Sequence, residues 1–190
     1  MILHLIRQRS EKKRRAQQVY GSIVALARRP EFYRFWRVPD TINGRFDMIV
    51  LHLFLLLQRL KQDGEQGTEA GRLVIEAFFS DMDRSVREQG AGDLSVPKHV
   101  RKMADALYGR LETYRAAEED GEGHVLAQAL RRNIFPDADD DDAWAVQSAA
   151  AIALYMQDVK EYLRNLSFET VMTGAIDFPK ISSQPIEPEK

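Results

Sequence analysis

The sequence predicts an all-α protein: a single irregular helical bundle of about five or six helices with an extended C-terminal arm. Three observations carry that expectation. Gly44–Leu60 is apolar nearly all round a helix, with Phe46, Ile49, Val50, Leu53, Leu56, Leu57 and Leu60 at helical spacing and Leu51, Phe54 and Leu55 covering much of the rest. Segments on either side repeat apolar residues at the same spacing and are parted by Gly-, Pro- and Asp-rich breaks. No alternating strand pattern and no repeat period occurs.

The central stretch reads as a core helix of a soluble body that the other helices wrap. Its apolar run from Met48 to Leu57 is short and interrupted by His52, and charged residues flank it. A membrane span needs about 20 apolar residues.

The chain has 190 residues, enough for one domain with a real core. With 27 Lys+Arg and 29 Asp+Glu the net charge is −2, which argues against a bulk nucleic-acid binder; no specific DNA partner is expected. The charge is polarised. Met1–Arg37 is basic, opposed only by Glu11 and Glu31, and Glu118–Asp142 is acidic, opposed only by Arg131 and Arg132. There is no cysteine, which excludes disulfides, thiolate catalysis and Cys-based metal sites.

Residues 1–15 read as a basic N-terminal segment: Ile2–Ile6 forms an apolar tip, and Arg7, Arg9, Lys12, Lys13, Arg14 and Arg15 follow. The tip is too short for a signal peptide, and basic residues follow it rather than precede it. Such a segment suits an anionic membrane surface, each cation contributing on the order of 1 kcal/mol. The plainer alternative is a solvated lead-in whose tip packs on its own domain.

Ala16–Arg29 is the first expected core helix, with Val19, Ile23 and Leu26 in one stripe and a boundary at Pro30. Glu31–Asp40 is dense in aromatics: Phe32, Tyr33, Phe35 and Trp36. Beside arginines these could stack bases, but a core lid is the favoured reading. Asp40, Thr41 or Asn43 can cap the central helix. His52 reads as a hydrogen-bonded packing residue, because His4, His99 and His124 do not give ligand spacing.

Gln62–Gly67 is a turn, and Thr68 is a candidate cap for the next helix. Steps of 100° place Asp81 on that helix's inward face, between Val74, Phe78 and Ser85, and Asp83 on the other. A core-facing carboxylate needs partners; candidates are Arg45, His52 and the backbone of the Gly90–Asp93 loop. Gly90 and Gly92 suit positive-φ positions, Ser95 an N-cap, Pro97 the first turn and Leu94 a staple. Gly90-Ala91-Gly92 lacks the pattern and setting of a phosphate loop.

The helix from about Val96 to Glu118 crowds Lys98, Arg101 and Lys102 into its first turns, where helix polarity makes cations unfavourable unless an acidic neighbour or partner offsets them. A short helix spans Gly123–Asn133. The Asp137-to-Asp142 run lacks the glycine and final glutamate of a calcium loop and instead suits the start of the alanine-rich last helix, about Ala143–Asn165. Residues 16–166 thus form the helical domain. Residues 167–190 form a Pro-containing C-terminal arm whose first half can lie on the body.

Arg29-Pro-Glu-Phe-Tyr33, Val38-Pro-Asp-Thr-Ile-Asn-Gly-Arg-Phe-Asp-Met48, Leu51-His-Leu-Phe-Leu-Leu-Leu57 and the run Phe79–Lys98, with Met103 after it, resemble the ubiquinol–cytochrome c chaperone family. The resemblance runs from about Ala16 to Leu166 and is most specific across Asp81-Met82-Asp83, Arg87-Glu88, Gly90 and Gly92-Asp93. Without a long organelle-targeting presequence the chain looks like a bacterial-type member.

The resemblance implies a non-enzymatic chaperone that binds newly made cytochrome b and supports assembly of the bc1 complex. It needs no cofactor or metal and lies in the cytoplasm, peripheral at the inner membrane. A small chaperone partner and a ribosome contact are also implied. The structural motif would be Asp40, Gly44, Arg45, Phe46, Asp47, His52, Asp81, Met82, Asp83, Gly90 and Gly92. Partner-binding candidates are Arg87, Glu88, Asp93, Lys98, Arg101 and Lys102, with Phe32 and Trp36 as a flank. The competing readings are a ribosome- or membrane-surface adaptor that binds protein or RNA through basic helix faces, and an enzyme using Asp81 with His52 or Arg45.

Overall fold

A computed structural model describes residues 2–88, 90, 92, 94–139 and 141–181, and no strand occurs among them. The elements are α1 (Ile2–Ala27), α2 (Pro30–Arg34), α3 (Ile42–Lys61), α4 (Gly64–Glu88), α5 (Val96–Asp120), α6 (Gly123–Ile134), α7 (Ala143–Arg164) and α8 (Phe168–Val171). Six are long; α2 and α8 are single turns that seal the body.

α3 is the axle. It packs against α1, α4, α5, α6 and α7, and Met48, Val50, Leu51, Leu53 and Leu56 are wholly buried. Burying one such side chain stabilises by about 1.5–3 kcal/mol. Thr41 starts the helix, its hydroxyl accepting from the Gly44 amide at 3.1 Å. Gly44 is required there, because a Cβ would stand 2.0 Å from the Pro39 carbonyl oxygen. Gly67 permits the tight α3–α4 corner for the same reason: its Cβ would meet the Leu60 carbonyl oxygen at 1.8 Å. No helix among the described residues is long and apolar enough to cross a membrane.

Several local expectations are corrected. The first helix begins at Ile2 rather than Ala16, because carboxylates neutralise the basic segment: Glu11 holds Arg14, Glu69 holds Lys12 and Glu76 faces Lys13. Among the described side chains, burial begins at Ala16. Thr68 does not cap α4; the helix starts at Gly64, whose carbonyl accepts from the Thr68 hydroxyl at 2.9 Å. Gly90 takes a positive φ of 84° but Gly92 does not, and Leu94 is fully exposed rather than stapled. The start of the arm does lie on the body: Val171, Met172 and Phe178 are buried, and the Ser22 hydroxyl donates to the Gly174 carbonyl at 2.6 Å.

Candidate functional site

The motif residues fall at the start and middle of α3 and at the C-terminal end of α4. Arg45 pairs with Asp40 at 2.6 Å, which holds the Asp40 carboxyl below its ordinary range, and its guanidinium lies 5.7 Å from the centre of the Tyr33 ring. Phe46 packs on Phe78. Asp47, buried on α3, meets Arg110 of α5 with Oδ1 and Nε 2.5 Å apart; burial pushes its carboxyl up to about 6 against the pull of that guanidinium.

His52 is 1% exposed and bridges two helices. Its Nδ1 faces the Met48 carbonyl at 2.6 Å, which places the proton there, and its Nε2 then accepts from the Tyr155 hydroxyl at 2.9 Å. Burial holds its pKa down near 4, so the ring is neutral. Phe32, Tyr155 and Phe178 surround it edge-on or tilted, and Trp36 packs edge-on against Tyr155.

Phe32 and Trp36 therefore form the core lid. They are 0% and 3% exposed, and the proposed partner-binding flank is corrected accordingly: α2 folds its aromatics inward onto His52 and Tyr155.

Asp81 faces inward as expected, but its partners are Tyr20, whose hydroxyl donates at 2.8 Å, and Arg84. Among the described residues, Arg45, His52, Gly90 and Gly92 make no hydrogen bond or ion pair with it. Asp81, His52 and Arg45 thus have separate partners, and the geometry does not assemble the catalytic pairing considered from sequence. Met82 is core; Asp83 pairs with Arg87 at 2.8 Å, and Glu88 approaches Arg84 at 3.9 Å. Asp93 lies outside the described residues. Lys98, Arg101 and Lys102 are exposed. No group of three or more His, Asp or Glu able to hold a metal ion occurs among the described residues.

The surface feature that sequence reading missed lies between α6 and α7. A groove of about 530 Å³ is floored by Ala127, Ala149, Ala150 and Ala153, with Val146 and Leu154 as its rails. Those two are 47% and 63% exposed. His124 and Arg131 are its only ionisable lining residues. The α7 lining residues 146, 149, 150, 153, 154 and 157 recur at three- and one-residue steps, so they form one helix face. The alanines were legible as close-packing residues; which face they left open was not. A larger groove of about 660 Å³ between α3, α5 and α7 carries a charged rim that pairs internally, Arg115 with Glu112 and Glu119, and Lys160 with Glu118.

An all-α body with an open, small-residue groove is the architecture of a helical binding protein. The chain belongs to the family whose model is described as ubiquinol-cytochrome C chaperone, which matches residues 34–178. It is 25% identical over 175 residues to the mouse (Mus musculus) ubiquinol-cytochrome c reductase complex assembly factor 1, covering 90% of this chain and 57% of that one. The frog (Xenopus laevis) counterpart is 24% identical over 165 residues, with 85% and 78% coverage. The crystal structure of the Cbp3 homolog from Brucella abortus is similar over 95% of this chain and 98% of that chain, at 37% identity and a TM-score of 0.79. The chain spans little more than half the length of the mouse relative.

Proposed function

We propose that this chain is a non-enzymatic assembly chaperone that holds newly made cytochrome b while the bc1 complex is built. The observation that carries this reading is the family match across residues 34–178, which spans α3 to α8. The names of the mouse and frog relatives supply the assembly pathway.

The α6–α7 groove supplies a physical means. A transmembrane helix outside the bilayer needs an apolar surface, and an alanine floor lets its backbone come close. The groove is nearly uncharged, so an apolar helix entering it leaves few ions desolvated. The larger groove would demand that its ion pairs be buried or broken.

Docking of the complex at an anionic membrane through α1 is a second part of this reading. Ile6 is exposed, and Arg7 and Arg9 have no carboxylate partner among the described residues. Lys12, Lys13, Arg14 and Arg15 are each engaged by a glutamate, which leaves the attraction to the outermost turns.

A photo-crosslinking residue at position 154 tests the client surface. In cells making the bc1 complex, it is expected to capture cytochrome b, and the same residue at the exposed position 94 is not. Equal capture from both positions, or none from 154 while bc1 is being made, would count against the groove.

A further inference from the structure

We propose a second recognition site: a pocket between the start of α3, the middle of α5 and the end of α6 that takes a carboxylate on an apolar-flanked segment of a partner protein. It lies on the opposite side of α6 from the alanine-floored groove and stands whether or not that groove holds a client.

The pocket encloses about 350 Å³. Lys102, Arg110 and Arg132 supply three cations, and Asp47 is the only carboxylate among the described lining residues. Asp47 is already committed: it is 3% exposed and its Oδ1 is 2.5 Å from Arg110 Nε. Lys102 and Arg132 are exposed and have no ion pair among the described residues. Two positive charges thus remain unmatched at the mouth.

The wall adds polar character: the Asn133 side chain lines the pocket, and its amide faces the buried Tyr114 hydroxyl. A carboxylate seated between Lys102 and Arg132 would meet both charges.

The lip selects the kind of molecule. Ile42, 64% exposed, stands at the pocket and offers an apolar seat for a neighbouring side chain. A nucleic acid would instead want aromatic platforms beside the cations. The aromatic among the described lining residues, Phe46, is 8% exposed and already faces the Arg110 guanidinium, 5.5 Å from its ring centre, so it offers no free platform. An acidic peptide with apolar neighbours therefore fits this site better than RNA.

The test uses the full chain and a fluorescein-labelled peptide with paired glutamates flanked by leucines. Saturable binding is expected, with the Asn133 side-chain amide resonance shifting during titration. The glutamine version should not bind. The double variant Lys102→Glu, Arg132→Glu changes exposed residues and should keep the native circular dichroism. It is expected to bind about tenfold or more weakly, each exposed ion pair contributing modestly. The proposal is overturned by absence of saturable binding, by equal binding of the glutamine peptide, by unchanged affinity in the folded double variant, or by displacement of the peptide by oligouridine at lower concentration than by its unlabelled form.

Discussion

Arg59→Leu is expected to lose about 3–5 kcal/mol of folding stability, the range for removing one partner from a buried charged network. Arg59 sits in the last turn of α3 with its side chain 8% exposed. Its Nε donates to the Leu163 carbonyl at 2.8 Å and its Nη2 to the Leu166 carbonyl at 2.6 Å, while Nη1 pairs with Asp63 at 2.5 Å. The Leu163 carbonyl in the last turn of α7 otherwise accepts only from the amides just beyond the helix, and Leu166 follows that turn. One guanidinium therefore finishes α7, fixes the α3–α4 corner through Asp63 and ties both to the axle. Leucine fills much of the space but leaves the Leu166 carbonyl and a poorly solvated carboxylate without these donors, while the Leu163 carbonyl keeps only its local backbone amides. Arg59→Lys should recover only part of the loss, because a single ammonium cannot reproduce the planar fork. Urea denaturation of the three proteins measures this; a loss below about 1 kcal/mol for leucine would show that the network contributes little.

The second large effect is a pH dependence carried by His52. The unfolded chain protonates this ring near its ordinary value of about 6.5. In the folded protein burial delays protonation to about 4. Between those values the unfolded state binds the extra proton, so His52's contribution falls as pH drops through that window and is constant below it. Asp47 acts in the opposite sense. Its folded value is raised to about 6, so its contribution is present at low pH and lost as pH rises through 6. The two oppose one another between about pH 4 and 6, and the whole-protein curve there conceals both.

A difference measurement separates them. The stability advantage of the wild type over His52→Gln should shrink by about 3 kcal/mol from pH 7 to pH 4, the free energy of a shift of that size. A constant difference across that range would mean that the ring is not held neutral by its surroundings.

The parts of this fold that repeat with a period were legible in the sequence. The apolar circumference of Phe46–Leu60 identified the axle, and the spacing of Val74, Phe78 and Met82 identified the buried face of α4. Residues whose role depends on a distant element were not. Arg59 looked like a solvated flank of an apolar run; only the arrival of α7 turns it into a buried cap. Asp47 flanks the other end of that run, but its partner Arg110 is on α5 and shares no local pattern with it. Asp81 was placed on the correct face by helical geometry, yet its hydroxyl partner Tyr20 comes from α1.

The surfaces were harder still. Phe32 and Trp36 carry the same composition whether they face out or in, and the fold of α2 onto His52 decides the matter. The alanines of α7 signal close packing without saying against what. Part of that face is buried in the body, and Ala150 and Leu154 remain outside. Lys98, Arg101 and Lys102 were recognisable as an uncompensated helix start, and the pocket that Lys102 shares with Arg132 required the approach of α6.

The most direct measurement is of bc1 complex in a strain lacking this chain. Reduced-minus-oxidised difference spectra of membranes report the b and c1 haems, native gels report assembled complex, and transcript levels control for expression. Loss of the b-haem signal and of assembled complex, with cytochrome b transcript unchanged and recovery when the chain is restored, is the expected result. Wild-type amounts of assembled bc1 in the deletion strain would contradict the assembly role.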